Sequence, residues 1–272
     1  MESNFDTESI FSSAGAMVWI LDAQDDYQES VARLTETILQ LQQLYPDIKY
    51  SVFIHKVDSL SNDFRDDTVR DIIQRIIDDL NDAGLENPAV NFYATSVYDD
   101  SIYEALSKVL QLLNPQLATF EALLNTIAGS CKMQKVYLFD VLSKLYIASD
   151  TSPVDMAGYT LCSDYIDTIV DLSEIYGWDR GKQNGRNGAV QKVEEESAES
   201  FISGIRGYCL YLKAMNKWVV VSLYLYTRLT FSSRYLAFIG FSKEPRFAEE
   251  KPLIDYNVQL FQDALTSVLA LT

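Results

Sequence analysis

His55-Lys56-Val57-Asp58, directly after the apolar run Tyr50-Ser51-Val52-Phe53-Ile54, is the segment whose residue types and spacing carry the most chemistry. A Lys-x-Asp pair just past the carboxyl end of a buried strand suits the reading of a guanine base. The Asp carboxylate accepts from the N1–H and the exocyclic amine of guanine, a donor pair that adenine lacks. The Lys stem lies across the purine face while its ammonium ties neighbouring loops together. Open α/β sheets bind ligands at the carboxyl ends of their strands, which is where this segment falls. Thr95-Ser96-Val97 follows the next strand-like run, Val90-Asn91-Phe92-Tyr93, so Ser96 and the backbone N–H at Val97 could meet the base's O6. On the residues alone a plain polar loop, with Asp58 capping the following turn, is the favoured reading.

Other chemistry is harder to place. No stretch matches G-x-x-x-x-G-K-[ST], the backbone cradle for phosphates. Gly181-Lys182 and Gly185-Arg186 lack its spacing, its preceding strand and the Ser/Thr after Lys. Asp22, Asp25 and Asp26 have the composition of metal ligands, but Mg²⁺ in nucleotide sites leans on phosphate oxygens, so a solvated acidic loop is expected. His55 is the only histidine, which leaves no nucleophile–base pair for a hydrolase of another kind.

The elements that must position these residues begin with an alternation of strand and helix. Ala16–Leu21 is an apolar run expected as a strand covered on both faces. A helix with Val31, Leu34, Ile38, Leu41 and Tyr45 on one face follows and stops at Pro46. After the strand Tyr50–Ile54, a second helix carries Val69, Ile72, Ile73, Ile76, Ile77 and Leu80 and ends near Gly84. The strand Val90–Tyr93 leads to a helix with Ile102, Ala105, Leu106, Val109 and Leu113. This order implies right-handed crossovers and a parallel sheet. Beyond Pro115 the pattern changes to α+β: a helix with Leu117 to Ile127, a hairpin of Lys135–Asp140 and Lys144–Ala148, and a long helix from about Met156 to Tyr176. A flexible loop is expected over about 177–200. Strand-like runs at Gly207–Met215, Trp218–Tyr226 and Ser233–Gly240 follow, then a final helix with Val258, Phe261, Leu265 and Val268. The Tyr and Leu stripes from Tyr208 to Tyr226 are expected to form a sheet core, and a sheet apolar on both faces would also suit a dimer contact.

Composition narrows the class. With 272 residues and 48% hydrophobic content, two domains with real cores are expected. A net charge of −17 argues against nucleic-acid binding and against direct adsorption to anionic membranes. Cys131, Cys162 and Cys209 are too few and too far apart for a disulfide framework or a zinc site and suit buried hydrophobes in a reducing compartment. The acidic N-terminus has no signal-peptide core, and the longest apolar run, Trp218 to Leu225, is too short to span a bilayer.

The order of these pieces resembles the Rag GTPases, specifically the RagC/RagD branch and its fungal counterpart. Phe53-Ile54-His55-Lys56-Val57-Asp58 looks like that branch's guanine motif, where His stands in place of the usual Asn. Asp22–Tyr27, Asp78–Leu85, Thr95–Asp99 and Ser152–Met156 look like the branch at matching intervals. The resemblance implies that residues 1–114 are the back half of a Ras-like G domain, with parallel sheet and helices. It implies that residues 115–272 are an α+β roadblock-like (longin-related) domain that pairs with an A/B-type Rag GTPase. It further implies a GTP/GDP site with Mg²⁺ and a guanine pocket of His55, Lys56, Asp58, Ser96 and Val97. The partners implied are a Ragulator- or EGO-type scaffold and the TOR kinase complex, and the place a cytoplasmic one, recruited to the lysosomal or vacuolar membrane through those partners. The chain starts where the family has just passed its second switch. The P-loop, Mg²⁺ ligands and switch regions are therefore expected to be missing, Ala16–Leu21 to be an unpaired apolar edge with uncovered faces, and nucleotide binding to be weak or lost. A nucleotide-independent scaffold, working through the roadblock-like domain, is the alternative.

Overall fold

The computed structural model describes residues 11–12, 14–85, 89–154, 156–176, 199–203, 209–218, 234–244 and 246–270. They form two compact units, one running through Asn114 and one starting at Pro115.

The first unit is built on a three-stranded parallel sheet in the order β1 (Ala16–Asp22), β2 (Lys49–His55), β3 (Val90–Thr95). The register sets Asp22 opposite His55 and His55 opposite Thr95, so three polar residues end the strands side by side. β2 is the central strand and is buried from Tyr50 to Ile54, which is why it reads as a continuous apolar run. Helices α1 (Gln28–Leu44) and α2 (Arg65–Asp82) cover one face. There Val31, Leu34 and Ile38 meet Ile72, Ile76 and Leu80 over Leu21, Val52 and Ile54. Helix α3 (Ser101–Leu112) covers the other face, packing Ala105 and Val109 on Phe53 with Ala16 and Val18 alongside. α2 stops at Gly84, whose φ of +91° suits glycine, and Leu85 N–H closes the end by donating to the Leu80 carbonyl.

Among the described residues β1 pairs with β2 alone, so it is an edge strand. The expectation of uncovered faces is corrected: Met17 and Leu21 are buried on the α1 side, and Ala16 and Val18 pack near α3. Only Ile20, 60% exposed, stands clear.

The second unit is a five-stranded antiparallel sheet, β5 (Tyr146–Ser149), β4 (Lys135–Asp140), β8 (Arg234–Ser242), β7 (Cys209–Trp218), β6 (Glu199–Ser203). α4 (Leu117–Ser130) and α6 (Lys251–Leu269) pack on one face, where Phe120, Leu124, Val258 and Phe261 meet Val136, Leu138 and Phe238. α5 (Met156–Tyr176) packs on the other, where Tyr159, Cys162 and Ile166 meet Tyr137, Phe139 and Ile239. Helices therefore lie over both faces of the sheet, and the described side chains of its Tyr and Leu stripes, Leu210, Tyr211 and Leu212 among them, fill the unit's own core as expected, while Tyr208 and residues 219–226 of those stripes lie outside the described residues. Gly240 on β8 permits the close approach of Met133, whose sulfur would collide with any β-carbon there. Lys135 and Asp150 form a buried ion pair at 3.1 Å. Its cost is offset by hydrogen bonds, for Lys135 Nζ also donates to the carbonyls of Asp150 and Ser152 while Asp150 accepts from Val136 N and Ser152 N.

Glu199 and Ser200, assigned to the expected loop, open β6 instead; residues 177–198 of that loop lie outside the described residues. Of the run Trp218–Tyr226, only Trp218 is described, as the last residue of β7.

Candidate functional site

At the carboxyl rim of the parallel sheet the backbone turns sharply. Lys56 sits at φ +63°, ψ +31°, and a single 3₁₀ turn of Val57–Ser59 follows, closed by Ser59 N–H donating to the Lys56 carbonyl at 3.1 Å. Val57 is fully buried in the core beneath α2. With that side chain plugged inward, its neighbours Lys56 and Asp58 project outward to solvent.

Each projecting group is held by a residue from another strand end. Ser96, itself fully buried, donates its hydroxyl to Asp58 Oδ1 at 2.5 Å and accepts from Tyr98 N at 3.0 Å. The Ser59 hydroxyl reaches Asp58 Oδ2 at 3.3 Å. The Ser96 hydrogen bond is the main reason the Asp58 carboxyl lies below its ordinary value of 3.8. A carboxylate offers about four lone-pair directions, so one on each oxygen stays available for two donors side by side, the pattern that the N1–H and amine of guanine present.

Lys56 Nζ donates to Asp22 Oδ2 at 2.5 Å, across from β1. This bond is the first cause of the lowered Asp22 pKa, ahead of Gln24 N–H donating to Oδ1, and it also raises that of Lys56. His55 Nδ1 lies 3.0 Å from the hydroxyl of Thr95, tying the ends of β2 and β3. The Ser96 N–H is occupied by Ser101 Oγ at 2.9 Å, and Val97, next in the loop, is exposed.

The structure thus brings His55, Lys56, Asp58, Ser96 and Val97 to one rim and adds Asp22, Thr95 and Ser101 as their holders. The sequence pattern groups Asp22 with Asp25 and Asp26 in a solvated loop. Asp25 and Asp26 do cap local backbone N–H groups, of Asp26 and Gln28. Asp22 instead faces Lys56, and the parallel register that sets it opposite His55 is the signal that points there. Among the described residues no group of three or more His, Cys, Asp or Glu is placed to hold a metal ion. With Asp22, Asp25 and Asp26 turned to a lysine and to backbone N–H groups, they do not fit a Mg²⁺ site. A depression lined by Tyr27, Gln28, Asp71, Gln74, Arg75 and Asp78 is open and contains none of the rim residues.

Residues 1–166 match the Gtr1/RagA G protein conserved region, and the chain belongs to that G-protein family. Within it the chain falls on the Gtr2, RagC and RagD side. It is 43% identical over 269 residues to GTP-binding protein gtr2 of Schizosaccharomyces pombe, covering 99% of this chain and 79% of that one. To Ras-related GTP-binding protein C of Homo sapiens it is 44% identical over 267 residues, 98% of this chain but 61% of the relative's length. Identity to GTP-binding protein GTR1 of Saccharomyces cerevisiae is 22% over 152 residues, 55% of this chain and 48% of that one. A solved structure, Myxococcus xanthus MglB, overlaps 58% of this chain and 92% of its own at 15% identity and a TM-score of 0.36, too low to argue from.

Proposed function

We propose that the rim formed by His55, Lys56, Asp58, Ser96 and Val97 reads a guanine base, and that the chain is a Rag-type GTP-binding regulatory subunit. The observation that carries this is the Asp58 carboxylate, held by Ser96 at the carboxyl rim of a parallel sheet, with the Lys56 stem beside it. The relatives' printed names, GTP-binding proteins throughout, support the same ligand. On this reading GTP and GDP bind through the base. The described residues supply no phosphate cradle and no Mg²⁺ ligands, so affinity is about millimolar, the strength of a base contact alone. GTP hydrolysis is not routed through any residue here.

The second unit is, on the same reading, a roadblock-like domain that heterodimerises with an A/B-type Rag GTPase. The pair would sit on a Ragulator- or EGO-type scaffold at the lysosomal or vacuolar membrane and report amino-acid sufficiency to the TOR kinase complex. The lack of a G-x-x-x-x-G-K-[ST] stretch in these 272 residues favours a second reading, a nucleotide-independent scaffold working through that unit.

Titration by NMR with GDP, XDP and ADP separates the two readings. The chain is expected to prefer GDP over ADP. Asp58→Asn is expected to weaken GDP about tenfold to a hundredfold, because a hydrogen-bonded charged acceptor is lost, and to favour XDP, whose C2 carbonyl accepts from the new amide. Equal, weak shifts for all three nucleotides would leave the scaffold reading standing, and submicromolar GDP binding would refute the weak-site claim. Failure to co-purify with an A/B-type Rag would refute the heterodimer.

A further inference from the structure

We infer that Asp22, which lies outside the Lys-x-Asp segment, is the residue that positions Lys56 for base stacking. The inference rests on the guanine reading of the rim and extends it to a third strand. Three observations converge. The register brings the end of β1 level with the end of β2, Asp22 opposite His55. The Asp22 carboxylate is oriented by its own loop, since Oδ1 accepts from Gln24 N at 3.0 Å and Oδ2 is thereby turned toward Lys56. Lys56 leaves the main chain from a left-handed backbone, a conformation that fixes where its stem begins. With its start set by the backbone and its ammonium held 2.5 Å from Asp22, the four-carbon stem is tethered at both ends. A tethered stem is a ready-made rail for a purine face, whereas a free lysine must lose its rotamer freedom on binding.

The charge balance agrees. Asp25, Asp58 and Asp22 all act on Lys56, and Asp22 is the one in contact. Without it, the ammonium is drawn toward Asp58, the very carboxylate that must stay open to accept from the base. Asp22 therefore does two things: it holds the stem, and it keeps the positive charge off the base reader. It touches no ligand and acts through Lys56, so it is a positioning residue.

The pair is partly exposed, with side chains 54% and 29% accessible, so the effect is modest. The test is a double-mutant cycle on the full chain, with GDP and ADP titrated by NMR into wild type, Asp22→Asn, Lys56→Met, the double variant and Asp22→Glu. Asp22→Asn is expected to weaken GDP by about two- to fivefold, with no further loss when added to Lys56→Met. Asp22→Glu, which keeps the charge, is expected to restore part of the loss. The Asp22→Asn effect is also expected to shrink as salt is raised. An unchanged GDP affinity in Asp22→Asn, or a loss that adds in full to that of Lys56→Met, overturns the positioning role while the base site stands. If wild type shows no preference for GDP over ADP, the base reading itself has failed and the role falls with it; the ADP titration tells the two failures apart.

Discussion

Lys56, at φ +63°, stands in a backbone region that costs a residue with a side chain about 1–2 kcal/mol. Such strain persists where the surroundings hold it, and here Val57 in the core and the Asp22 contact do so. Stability and recognition should then part company at this position. Lys56→Gly is expected to leave the melting temperature close to that of wild type, because relief of the left-handed cost offsets an exposed ion pair, while GDP binding falls. Melting curves beside NMR titrations check it. The pH dependence has a definite sign. Asp22 and Asp58 both titrate below 3.8 in the folded chain, so their contribution is complete above that value and is lost as pH falls through their lowered values. Lys56 is raised above its ordinary 10.5, so its share is complete below that value and is lost as pH rises through the raised one. Between these limits the Lys56–Asp22 tie should persist, which a titration of the Lys56 and Asp22 signals by NMR would show; loss of the tie inside that window would contradict it. The Lys-x-Asp pair was legible from spacing, because one strand end and one turn determine it. Asp22, Thr95 and Ser101 were not, because each is 34, 40 or 5 residues from its partner and only the strand register and the start of α3 bring them together.

At the scale of elements, the helices illustrate why some boundaries could be read and others not. Pro46 and Gly84 mark the ends of α1 and α2 with residues whose backbone preferences stop a helix, and both stops are visible in the sequence. α4 ends in the same hydrogen-bond pattern as a glycine-closed helix, Met133 N to Ala128 O and Lys132 N to Gly129 O, yet Lys132 occupies the left-handed position at φ +54°. Lys132→Gly is accordingly expected to raise stability by about 1 kcal/mol, read as a higher denaturation midpoint at unchanged slope. Ile76, fully buried where α2 meets α1, makes the opposite case: Ile76→Ala is expected to cost about 2–5 kcal/mol and to blur the rim above it. β6 escaped the sequence reading because Glu199–Ser203 follows an acidic, glycine-containing stretch and alternates weakly. Its place is set by pairing with β7 and by Phe201 stacking on Phe247, contacts that are distant in the chain.

At the scale of the whole molecule, a net charge of −17 sets what the surface meets without help. No helix among the described residues is long and apolar enough to cross a membrane. The full chain is expected to remain unbound in flotation with phosphatidylserine vesicles at physiological salt, since like charges repel over a Debye length of about 8 Å. The proposed scaffold would supply the contact with a membrane. The sandwiching of the five-stranded sheet has a practical consequence for mapping such companions. Because the described parts of its broad surfaces are spent on internal packing, what the described residues leave open to a newcomer is the margins and the backs of the helices. Leu253, Tyr256 and Leu260 recur along the outward side of α6, and Leu161 and Leu172 stand out on α5. Charge-bearing substitutions at those five leave the interior intact, so a scan for lost partners should begin there, and strand residues such as Tyr211 or Phe238 would report only on misfolding.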